Sequence, residues 1–369
     1  MNSRFLRNVI IKGLVLFLLL DLVFGAVNPA GLGKVSLYNH LFMGRQRFPF
    51  GEDSSQSYNL SLYNLDAMFA SHVISNVPKP ADEYRVVVVG DSSTWGVLLR
   101  PEETLAGQLN ASGLSICGKK ISVYNLGYPT ISLTKDLMVL DSALSYQPDL
   151  IIWLVSLEAF PADKQLSSPI VANNAARVED LIARYYLPLD PNDPALVHPD
   201  FWDNTFIGQR RALADLFRLQ IYGVLWAATG IDQTYPADYQ HAQTDFNTDV
   251  TFHNMQPPTL DTSRLAFGVL EAGLRLAGGT PVILINEPIL ISVGENSDLR
   301  YNFLYPRWAY DQWREMMSAR AEAGAWNYLD LWNIIPADEF TNSAIHLTPA
   351  GESMLAGRVD QIILQKSCP

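Results

Sequence analysis

Apolar and polar positions alternate in blocks along two stretches of the chain, and these blocks predict strands and helices by turns. In the first stretch Arg85–Val89 reads as a strand, Glu102–Ser112 as a helix and Ile121–Leu126 as a strand. Leu133–Tyr146 follows as a helix, with apolar residues at 137, 138, 140 and 144, and Leu150–Val155 (LIIWLV) is wholly apolar. In the second stretch Leu265–Leu276 reads as a helix and Thr280–Asn286 as a strand. Tyr305–Ala323 is a helix that Gly324 would stop, Tyr328–Leu331 a short strand and Pro349–Gln365 a last helix. Thr348 and Pro349 suit the cap and first turn of that helix. Strands apolar on both faces, alternating with helices, predict a parallel sheet covered on both sides.

The segment between the two stretches, 160–262, has another texture. It holds proline-rich loops such as LPLDPNDPALVHPD and one long helix at about 208–229. In that helix Leu213, Leu216, Phe217, Ile221, Val224, Leu225 and Ala228 share a side, which predicts packing onto the core. A lid, or a surface lying on a membrane or a partner, is the sharper alternative. This segment is expected to be an inserted, mainly helical subdomain of an α/β domain formed by 81–159 and 263–369. Residues 28–80 read as an ordered, loop-rich stretch, since Phe, Tyr and Leu recur too often for a solvated linker.

The N-terminus carries a different pattern. Asn8 to Val27 is an almost unbroken apolar run of about 20 residues, which at ~1.5 Å per residue spans a bilayer core of ~30 Å. Arg4 and Arg7 precede it and Lys12 lies near its start, which places residues 1–7 in the cytoplasm and the rest outside. A cleaved signal peptide is the competing reading, but Phe24-Gly25-Ala26 is a poor cleavage site, so a retained anchor in the lipid bilayer is expected. Asp21 within the run either faces a membrane-protein partner or lies near the outer interface.

Composition narrows the function. The chain has 369 residues, 48% of them apolar, enough for a large core. Its net charge of −12 argues against nucleic-acid binding. There is no Walker-type glycine loop and no zinc-type Cys/His spacing, and the six histidines are scattered, so neither metal nor organic cofactor is expected. The two cysteines, Cys117 and Cys368, would close a long loop if an oxidising compartment paired them.

The chemistry is concentrated at the ends of predicted strands. Gly90-Asp91-Ser92-Ser93 ends the valine strand and opens a helix, placing a side chain at the carboxyl edge of the sheet, where open α/β sheets hold their sites. A serine nucleophile needs a base and donors for the developing oxyanion. His346 lies in a loop just before the last helix and can reach back over the same edge. Ser92 is thus either a nucleophile or a helix cap, and His346 either a general base or a tie between loop and sheet. Asp91 reads as a cap. Asn286-Glu287-Pro288 ends the next strand and either lines a pocket or forms a plain turn.

Gly90-Asp91-Ser92-Ser93, QPDLIIWLV and His346-Leu-Thr-Pro-Ala-Gly351 resemble blocks of the SGNH (GDSL) hydrolase superfamily, over roughly 84–159 and 264–365. The anchor and insertion are similar to its extracytoplasmic O-acetyltransferase-like branch. The resemblance implies a three-layer α/β/α sandwich that cleaves or transfers acyl groups, here on a cell-surface glycan or lipid, with Ser92 attacking and His346 as base. For the oxyanion it implies the Ser92 N–H and a donor within Tyr124-Asn125-Leu126-Gly127-Tyr128-Pro129-Thr130, where Gly127 fits by motif and Thr130 by spacing from Asn125. The third block departs from the family: Ser156-Leu157-Glu158 puts a carboxylate where an Asn donor belongs. The family's Asp three residues before the His is Ser343, with Asn342, Asp338 and Asp330 as possible substitutes. These departures leave a second reading open: a catalytically degenerate subunit or scaffold of a membrane assembly.

Overall fold

The structure, a computed structural model, describes residues 2–27, 33–36, 39, 41–42, 44–51, 62–76, 78–231 and 238–365. Its centre is a six-stranded sheet: β1 (Glu83–Val89), β2 (Ser115–Ile116), β3 (Lys119–Asn125), β4 (Leu150–Val155), β5 (Val282–Asn286) and β6 (Tyr328–Asp330), in the order β2-β3-β1-β4-β5-β6. All pairings are parallel except that of β2, which turns back antiparallel on β3 at the edge. The expected parallel sheet is therefore mixed. Cys117, in the turn between β2 and β3, is disulfide-bonded; Cys368 lies outside the described residues.

The apolar strands sit where their composition requires. Val86–Val89 and all of β4 are buried, because helices cover both faces. The chain leaves β1 for β3 through one helix (Leu105–Ala111) and crosses from β3 back past β1 to β4 through another (Leu133–Ala143). Right-handed crossovers in opposite directions put these helices on opposite faces. Leu105–Ala111 packs with the C-terminal helix Pro349–Leu364, and Leu133–Ala143 with Phe267–Leu276. The result is an α/β/α sandwich. The reversal of strand order around β1 makes its carboxyl end the natural site of a crevice.

Helix ends deviate from the sequence reading by only a few residues. The helix Arg307–Gly324 includes Gly324, and Ala325 takes the left-handed conformation (φ 50°) that ends it. A bridge between Pro161, at the start of the 160–262 segment, and Leu265, just past its end, brings its two ends together. Within the segment, Ala175–Tyr185 packs on Leu133–Ala143.

The N-terminal helix α1 spans Ser3–Val27, and the long helix of the 160–262 segment, α2, spans Arg210–Thr229. The core-facing reading of α2 holds for Leu216, which packs against the core, and needs correction for its exposed members. Its buried stripe is Leu219, Gly223 and Trp226, whereas Phe217, Ile221 and Leu225 are exposed and Ala228 also faces outward. Both sides of this helix are apolar, so periodicity alone cannot choose between them. Helix α1 is 25 residues long, with a mean hydropathy of 2.4 over its most apolar window, long and apolar enough to cross a membrane; a signal sequence passes the same test. Asp21 is buried, and its partner is in the same chain: Oδ1 accepts the Ile207 N–H at 2.9 Å.

Candidate active site

The turn after β1 is built to present Ser92. Asp91, not Ser92, caps the short helix Ser92–Trp95, its Oδ1 accepting the Ser93 N–H at 2.9 Å. The closing carbonyls are held from outside. Asn125 Nδ2 donates to Thr94 O at 2.7 Å, and Arg47 Nη1 to Gly96 O at 2.7 Å. Ser92 is therefore free of capping duty and remains partly accessible.

His346 arrives from the other end of the chain. Its loop is pinned by Thr341 N–H to His346 O (2.8 Å) and by Leu290 N–H to Ala344 O (2.7 Å). The following helix starts firmly, with Pro349 in its first turn and Thr348 Oγ1 accepting the Gly351 N–H at 3.1 Å. The imidazole lies between two side chains: Nε2 is 2.8 Å from Ser92 Oγ and Nδ1 is 2.8 Å from Asn342 Oδ1. An amide oxygen only accepts, so Nδ1 carries the proton and Nε2 is left to accept from Ser92. Burial lowers the imidazole pKa to about 4, so it is a neutral base at physiological pH.

The Nδ1 partner is thus Asn342. Ser343, the position the resemblance assigns to the acid, does not take this role. Asp330 is committed to Arg314 and Asn286, and Asp338 is exposed on the short helical turn Ala337–Glu339.

The oxyanion side is less complete. Gly127 N–H donates to Asn125 Oδ1 at 3.0 Å, so this donor is occupied by a side chain two residues back. Asn125 itself is a buried clamp between strand end and nucleophile turn. Thr130 is half-buried, with its N–H on Tyr128 O at 2.6 Å. Glu158 does not stand as a bare carboxylate: it accepts from Lys164 Nζ and lies 3.1 Å from His253 Nε2. Burial alone would raise its pKa, but the His253 hydrogen bond and the Lys164 charge outweigh that and hold the carboxyl below its usual range.

Behind the nucleophile lies a buried polar network; sequence reasoning missed Lys135 and Asp136 and left Glu287 between a pocket wall and a plain turn. Lys135 Nζ donates to Gly90 O at 2.6 Å and pairs with Asp136, which accepts the Trp153 Nε1–H at 3.0 Å. Glu287 hydrogen-bonds Ser93 Oγ. Burial, reinforced by the charge of Asp91, pushes Glu287 well above the usual carboxylate range. The adjacent charges Lys135-Asp136 inside an otherwise apolar helix face were the available signal; His253, in a loop without a motif, gave none. Among the described residues no cluster of His, Cys, Asp and Glu fit for a metal occurs.

No family model matches the chain, and no curated protein does. Among solved structures it is similar to a member of the lipolytic G-D-S-L family from Veillonella parvula (11% identity, TM-score 0.38, 76% of this chain and 99% of that one). It is also similar to Est24, a carbohydrate acetylesterase from Sinorhizobium meliloti (14%, 0.34, 76% and 99%). A third is the native aryl esterase of M. smegmatis (15%, 0.35, 76% and 98%). The chain's own strand order makes it an α/β/α sandwich with the Ser92–His346 pair at the carboxyl edge of the sheet.

Proposed function

We propose that the chain is a serine-dependent acyl-ester hydrolase or O-acyltransferase of the SGNH type, anchored by α1 with its body outside the cytoplasm. The observation that carries this reading is the line Ser92–His346–Asn342, two contacts of 2.8 Å around one neutral imidazole. His346 Nε2 takes the Ser92 proton as Oγ attacks the acyl carbonyl. The imidazolium then returns that proton to the leaving alkoxide, and the acyl group stays on Ser92. Water, or the hydroxyl of an acceptor, attacks the acyl-serine with His346 again as base. The Ser92 backbone N–H, at the start of its helical turn, is a donor for the oxyanion. A cell-surface glycan or lipid ester suits an anchored body. Reconstituted full-length protein is expected to release acid from short-chain acyl esters, with no release by Ser92→Ala.

One observation favours a second reading. Gly127 N–H is already bonded and Glu158 stands at the third donor position, so two of the donors the resemblance implies are lacking. Loss of one such donor costs roughly 10²–10³ in rate. A degenerate subunit of a membrane assembly fits that loss. A partly accessible Ser92 in contact with its base fits the enzyme better, because a scaffold needs neither.

A further inference from the structure

The loop before α2 holds the body to α1. Besides the Asp21–Ile207 hydrogen bond, Phe24 meets Phe206 edge-on with ring centroids 5.7 Å apart. Gly25 lets the loop approach: a Cβ there would lie 3.1 Å from Thr205 Cγ2 and 3.4 Å from the Phe201 ring. Residues 201–207 therefore sit level with residues 21–25 of α1. From Asp21 to the end of α1 at Val27 is about 9 Å along the axis, at ~1.5 Å per residue. That matches the depth of ~5–10 Å to which interfacial helices bury their apolar faces.

The surface beside this contact is apolar. Trp202, Phe206, Ile207, Phe217, Ile221 and Leu225 are all exposed, Trp202 and Phe217 at 66% each. Phe217, Ile221 and Leu225 recur every four residues and form one stripe of α2. The opposite stripe faces the body, where the Arg45 guanidinium lies 4.6 Å from the Trp226 ring. Exposed Arg210 and Arg211 lie at the start of the same helix, and the exposed Arg218 pairs with Asp215 at 3.0 Å. Aromatic and aliphatic residues rimmed by arginine are the composition of a surface that enters lipid headgroups.

We propose that residues 201–225 are a lipid-facing surface, lying in the headgroup–acyl boundary of the bilayer that α1 enters. The occupant is lipid because the patch continues a helix whose own outer surface is apolar and exposed over nearly its whole length. The body then rests on the membrane in a fixed orientation, instead of swinging on a tether. The proposal rests on the anchoring of α1 proposed above and is independent of the chemistry at Ser92.

The test uses the full chain in vesicles of phosphatidylcholine and phosphatidylglycerol, with a nitrobenzoxadiazole label at Phe217→Cys or Leu225→Cys. Val293→Cys, 90% exposed in the native chain, serves as the comparison site, and Cys117 is already disulfide-bonded. Labels at 217 and 225 are expected to lose about half or more of their emission to quenchers carried on the upper acyl chain, while the label at 293 responds to aqueous iodide. Labels at 217 and 225 quenched by iodide as strongly as the one at 293 would overturn the proposal. Because the vesicles contain no other protein, a patch kept for a protein partner gives that second result.

Discussion

His346 Nδ1 is held by an amide, Asn342 Oδ1, at 2.8 Å, where Ser-His-Asp triads hold a carboxylate. The amide fixes the tautomer that a base needs. It supplies no charge to stabilise the imidazolium formed during attack.

Asn342→Asp is therefore expected to raise turnover. An opposite charge beside an ionisable group shifts its pKa by about 1–3, so a carboxylate that keeps the tautomer and stabilises the imidazolium should gain roughly 10–10³ in kcat on an activated ester. Asn342→Ala should lower it. Steady-state kinetics of the three proteins checks the order Asp above Asn above Ala.

The pH profile follows from the same geometry. Burial holds His346 at about 4, and only the neutral imidazole accepts the Ser92 proton. The acid limb of kcat/KM is expected near pH 4, well below the ordinary histidine range. In Asn342→Asp the new carboxylate favours the imidazolium, so the limb should move to higher pH. A wild-type limb near 6.5 would mean that His346 is solvated in the working enzyme.

Gly127 bears on the fold of the site rather than on the oxyanion. A Cβ at this position would lie 2.5 Å from Trp95 N and 2.8 Å from Thr94 C, both backbone atoms of the nucleophile turn. Neither can move without shifting Ser92. Gly127→Ala should cost about 1–3 kcal/mol in chemical denaturation and lower activity with it.

Glu352 gives a stability prediction with a defined sign. It is buried in the first turn of the C-terminal helix, and burial raises its carboxyl to about 8 from an ordinary 4.5. The folded state thus keeps a proton that the unfolded chain loses above pH 4.5. Its penalty on stability is absent at low pH, grows between about 4.5 and 8, and is constant above. Glu352→Gln should leave stability at pH 4.5 nearly unchanged and raise it by roughly 2–5 kcal/mol at pH 8.5, read by urea unfolding.

The frame was legible because its strands are buried on both faces, so Val86–Val89 and Leu150–Val155 announce themselves by composition. Ser92 and His346 were legible because each sits where an element begins. The rest depends on contacts that no local pattern records. Gly127 loses its free N–H to Asn125, two residues away but turned back by the strand end. Glu158 meets its hydrogen-bond partner His253 ninety-five positions along the chain. In α2 the deciding fact was which of two apolar stripes met the body, and Trp226 rather than Phe217 does so. Asp21 found its partner in the backbone of Ile207, a group identical in every sequence.

The central claim is that Ser92 is an activated nucleophile. Its most direct test is to treat reconstituted full-length protein with a fluorophosphonate and locate the adduct by peptide mass spectrometry. One adduct is expected, on the peptide carrying Ser92, absent in Ser92→Ala and strongly reduced in His346→Ala. A folded wild-type protein that stays unlabelled, or one labelled equally after either substitution, would contradict it.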